Sequence, residues 1–104
     1  MTYTERPVYV VGQTVELYGK FAAGDPAVPT TPTTVRIGIV LPDDTLVEKV
    51  YPADPEVEEV EEGYVRWIYT LEDDGWYTWK VRGTGVAAAA DQGQLEVKSN
   101  IFPF

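Results

Sequence analysis

The sequence predicts an all-β domain built as a two-sheet antiparallel β-sandwich of about seven strands. Three observations predict it. Apolar residues recur with period two through most of the chain. Helix signals are almost absent, with Val, Tyr, Trp and Thr filling the long stretch from residue 56 to 102. Gly, Pro and Asp clusters punctuate the chain at the short intervals that sandwiches show. At 104 residues and 11.6 kDa, one domain is expected.

Residues 8–11 form a short first strand. In the second, residues 15–21, Val15, Leu17, Gly19 and Phe21 alternate with Glu16, Tyr18 and Lys20. Residues 22–34 hold Pro26, Pro29, Pro32 and four threonines, and read as a loop crossing between sheets, as a Greek key needs. Residues 35–41 place Val35, Ile37, Ile39 and Leu41 on one face. The turn Pro42-Asp43-Asp44-Thr45 suits a type I turn and joins them to residues 46–51 as a hairpin. Residues 64–71 put Val65, Trp67, Tyr69 and Leu71 on one face. Residues 76–82 put Tyr77, Trp79 and Val81 on one face and Trp76 on the other. The last strand is residues 94–98. The alanines at 87–90 are too few to nucleate a helix and read as extended chain or one irregular turn.

Composition removes whole classes of chemistry. The chain has no Cys and no His, and Ser99 is its one serine. Ser-His and Cys-His nucleophiles, Cys/His zinc sites, haem and iron–sulfur ligation are therefore excluded, and no cofactor is expected. Seventeen acids against eight bases give a net charge of −9. The bases are spread singly, so neither nucleic acid nor an anionic membrane is an expected partner. The acidic stretch 56–62 reads as a solvated loop or charged edge strand, with a patch for a basic partner as the alternative. Asp43-Asp44 and Asp73-Asp74 sit at turns, where Asp is favoured for backbone reasons, so neither enzymatic carboxylates nor a calcium loop is expected. No segment approaches the ~18 apolar residues of a membrane span. The first residues lack the pattern of a signal peptide, and Met1 reads as a natural start in a reducing cytoplasm.

The most specific local pattern is Asp73-Asp74-Gly75-Trp76-Tyr77-Thr78-Trp79. It resembles the immunoglobulin signature Asp, any, Gly, any, Tyr, any, Cys, with Asp73, Gly75 and Tyr77 in place and Trp79 where the cysteine stands. The resemblance implies an Ig-like sandwich in which the Tyr77 hydroxyl bonds back to the backbone at the corner. Trp79 then fills the inter-sheet volume that a disulfide would bridge. The ordered set, from Val-Gly-Gln-Thr-Val-Glu-Leu at 11–17 to Gly-Gln-Leu-Glu-Val at 93–97, resembles short cysteine-free Ig-like virion proteins of tailed bacteriophages. That resemblance implies a non-enzymatic capsid decoration or minor capsid protein located in the virion and made in the host cytoplasm. The major capsid protein or another virion subunit is the implied partner. Head–tail joining is the alternative, and weak glycan binding through Trp76, Tyr64 or Tyr69 is an alternative of another class.

The domain is taken as residues 1–98, followed by an apolar tail, 99–104. Ile101, Phe102 and Phe104 either cap the domain's own core or anchor it to a neighbour. Trp76 either covers the sandwich end or meets a partner.

Overall fold

Alternation dictates the layers. The computed structural model describes residues 8–99, and the chain there is all-β: β1 (Val8–Val10), β2 (Thr14–Lys20), β3 (Ala22–Ala23), β4 (Val28–Pro29), β5 (Thr34–Val40), β6 (Leu46–Tyr51), β7 (Val57–Glu61), β8 (Tyr64–Thr70), β9 (Gly75–Thr84) and β10 (Ala89–Lys98). One sheet has the order β1-β10-β9-β5-β6, and a second has β2-β8-β7. β3 and β4 pair as a small ladder within the crossing segment. Odd-numbered apolar residues supply the interior. Val35, Ile37, Ile39, Tyr77, Val81, Leu95 and Val97 face Val15, Leu17, Val57, Val65, Trp67 and Leu71 in one buried cluster. The result is a β-sandwich-like arrangement with a continuous core between the sheets.

Each of the seven segments read as a strand carries one, most with ends shifted by one or two residues, and β3, β4 and β7 bring the described strands to ten against the seven or so expected. The expected crossing loop at 22–34 leads from the small sheet to the large one and contributes β3 and β4. The acidic stretch takes the edge-strand form. β7 pairs with β8 at the edge of the small sheet, and Val57 is its one buried residue. One ladder departs from the antiparallel expectation: β1 runs parallel to β10, Val8 opposite Glu96 and Val10 opposite Lys98. Period-two alternation fixes which face a side chain occupies but is the same for either strand direction. β10 starts five residues earlier than expected because β9 runs on to Thr84 and gives Ala89 and Ala90 a partner.

The turn after β5 has the expected chemistry. Asp44 N donates to Leu41 O at 2.9 Å across Pro42 and Asp43, and Thr45 N donates to Asp43 Oδ1 at 3.0 Å. Hydrogen bonding from the Thr45 side chain, and then from its backbone N–H, holds the Asp43 carboxyl below its ordinary range.

The corner at Tyr77 forms as its residues imply. Tyr77 is buried, and its hydroxyl donates to Asp73 O at 2.7 Å while accepting from Asp73 N at 3.3 Å. Burial pushes this hydroxyl above the ordinary tyrosine value, and burial does the same to Tyr69. A raised folded-state pKa contributes stability that is complete below the unfolded value, about 10. That stability is lost as pH rises through the folded value. Tyr77→Phe is expected to cost about 1–2 kcal/mol at neutral pH, because the Asp73 carbonyl loses its donor. It should also reduce the alkaline decline. Urea titrations from neutrality to above pH 10 check both; an unchanged midpoint at neutral pH would count against the corner bond.

Trp79 requires a correction. Its side chain points inward and packs against the core, but it is only half-buried, lying across the backbone of Gly93 on β10. The indole sealed between the sheets is Trp67, at 5% exposure, edge-on to Tyr69 with ring centroids 5.2 Å apart. Trp67 sits on the central strand of its sheet, covered on both sides. Trp79 looks across at the edge of the small sheet, where cover runs out.

Candidate functional site

That lack of cover opens a concavity beside Trp79. Among the described residues, β2 is an edge strand of the small sheet. On the opposite sheet, β1 covers β10 only from Glu96 to Lys98. Residues 89–94 of β10 therefore have no ladder partner on that side among the described residues. Between these two open edges lies a cavity of about 650 Å³. Tyr9, Leu17, Phe21, Trp79, Val81 and Leu95 form its apolar walls, and Glu16, Lys20 and Asp91 stand at its polar rim. Its chemistry is apolar contact inside and backbone hydrogen bonding along two strand edges, which is how extended polypeptide is recognised.

The outer face of the small sheet carries a polar ladder. Tyr64 Oη donates to Glu16 Oε2 at 2.5 Å, and Arg66 reaches Glu16 Oε2 at 3.2 Å and Glu58 Oε1 at 2.7 Å. The bond to Glu16 raises the Tyr64 hydroxyl above its usual value. Lys20 Nζ lies 5.1 Å from the centroid of the Tyr64 ring, a cation–π contact. These pairs join β2, β8 and β7 across the sheet.

The structure scatters the aromatic residues proposed as a glycan platform. Trp76 is 48% exposed on the outer face of the large sheet, opposite Glu96. Tyr64 is on the outer face of the other sheet, and Tyr69 points inward beside Trp67. Tyr18 and Tyr64 touch, but at 65° between planes, so they offer no flat surface. Asp73, Gly75 and Tyr77 come together at the corner and serve the fold, with Trp79 further along the strand. Asp74 Oδ2 accepts from Ser99 Oγ at 2.6 Å. Among the described residues, no group of three or more acidic side chains is placed to hold a metal ion. Ile101, Phe102 and Phe104 lie outside the described residues.

Sequence reasoning did not single out Phe21, Lys20 or Leu95 as lining a cavity. Their alternation marks them as core or surface, and nothing in it says that the strand beside them is an edge. No protein-family model matches the sequence, and no curated protein or solved structure matches it either.

Proposed function

We propose that the chain is a non-enzymatic Ig-like binding module that serves as a structural protein of a tailed-phage virion, seated on the head lattice as a decoration or minor capsid protein. The observation that carries the Ig-like part is the Tyr77 corner within its strand order. The order β2-β8-β7 against β10-β9-β5-β6 supports this reading, because an immunoglobulin sandwich sets strands B, E and D against G, F, C and C′. The ordered motifs along the chain support the virion part. The open cavity beside β2 supports a role in holding polypeptide, because it presents apolar walls beside strand edges that no described strand covers. Repeated docking on a lattice lets many weak contacts sum to firm attachment.

Co-purification with intact particles through a density gradient tests the reading. The chain is expected to band with heads. Recovery from tails alone would move it to a tail-associated or joining role, and recovery only from host cytosol would overturn the virion assignment. Truncation after Lys98 separates the two uses of the tail: a domain that stays folded but leaves the particle identifies an anchor, and one that melts identifies a cap.

A further inference from the structure

The outer face of the large sheet concentrates positive charge on an acidic molecule. Arg36 on β5 lies directly opposite Arg82 on β9, and Thr34 lies opposite Thr84 one outward position further on. These four residues enclose a shallow depression of about 220 Å³. Lys80 is the next outward residue along β9. Across the ladder to β10, Arg82 and Lys80 face Ala90 and Gln92, neither of them charged. Among the described residues, one acid pairs with this cluster: Glu48, 3.5 Å from Arg36 Nε, with the Arg36 side chain still 62% exposed. Lys80 and Arg82 have no ion pair among the described residues. Like charges directly opposite each other across a ladder destabilise it.

We propose that this face is a docking site for an extended acidic segment of a partner protein, with Arg36 and Arg82 clamping one carboxylate and Lys80 meeting the next. A guanidinium presents a planar fork of N–H donors that fits a carboxylate in two parallel bonds, and the flanking Thr hydroxyls can add donors. Outward side chains along β9 repeat every ~6.8 Å, which is also the spacing of side chains on one face of an extended peptide. Glu48 meets Arg36 alone, at 3.5 Å, and leaves Arg82 and Lys80 to the partner. Nucleic acid fits poorly: three cations neutralise at most three phosphates, and the net charge of −9 opposes a long polyanion. This inference is independent of where the protein acts.

The test is titration of the full chain with an oligoglutamate peptide at low salt, followed by backbone amide signals and calorimetry. Binding should move the amides of residues 34–36 and 80–84 and weaken as salt rises. Arg36→Gln with Arg82→Gln should weaken binding by about tenfold, the scale on which lost charged pairs are read. Lys49→Gln with Lys98→Gln, an equal change of charge outside both this face and the cavity beside β2, should leave binding within about twofold. The arginine double variant should melt no lower than the parent, since a like-charge pair is removed. Any of four results would overturn the proposal: no peptide binding at low salt, equal loss in the lysine control, tighter binding of a short duplex DNA, or self-association of the chain through these arginines.

Discussion

Trp67→Ala is expected to lose about 3–5 kcal/mol of stability, the range for removing a large buried aromatic residue. The indole is sealed on the central strand of the small sheet, opposite Leu17 on β2 and Val57 on β7, and edge-on to Tyr69. Removing it opens a void between the layers that a strand flanked on both sides cannot collapse into. Small domains have only about 5–15 kcal/mol in total, so the variant should unfold at low urea or fail to fold at 37 °C. Two relatives calibrate the result. Trp79→Ala removes a half-buried ring at the open side and should cost less. Trp76→Ala, on the outer face, should cost least. Urea unfolding of the three variants checks the ranking; a smaller loss at Trp67 than at Trp79 would reverse the account of which indole fills the core.

The second large effect belongs to Gly63→Ala. This glycine joins β7 to β8 with φ +82°, a conformation that L side chains rarely adopt. A Cβ there would stand 2.5 Å from Phe21 O and 2.9 Å from Thr30 N. Both are backbone atoms, so no rotamer change relieves the overlap. The glycine also joins the crossing segment to the small sheet: Phe21 N donates to Gly63 O at 2.7 Å, and Gly63 N donates to Thr31 Oγ1 at 2.8 Å. Left-handed strain and overpacking together predict a loss of roughly 2–4 kcal/mol. Gly12→Ala is the control. Gly12 has φ +97° but no neighbour within 4 Å of an added Cβ, so it should show the strain alone, about 1–2 kcal/mol. Thermal melts of both variants separate the overlap from the strain; equal losses would mean that Phe21 and Thr30 move aside.

Much of this architecture is legible in the residues because period-two alternation is a local property. Val65, Trp67, Tyr69 and Leu71 share the inward face that their spacing predicts, and Pro42 and Asp43 make the turn their conformational preferences demand. The Tyr77 bond is legible through the resemblance of residues 73–79 to the immunoglobulin signature, and its partner lies four residues away. What the residues do not carry is lateral position. Trp67 and Trp79 have the same alternation, and only the order of strands in the sheets decides that one sits mid-sheet and the other beside an edge. The Arg36–Arg82 pair is hidden for the same reason, since 46 positions separate the two in sequence and a ladder register brings them together. The direction of β1 is a further case: a three-residue strand reads the same whichever way its neighbour runs.

That direction has a mechanical consequence. Because β1 and β10 run the same way, the chain enters β1 at one end of their shared ladder and leaves β10 at the other. Tension drawn through the flanking segments therefore loads these rungs lengthwise and together, as shear, where an antiparallel hairpin would unzip one rung at a time. A three-rung clasp of this kind resists a pull best when the load arrives from both flanks at once.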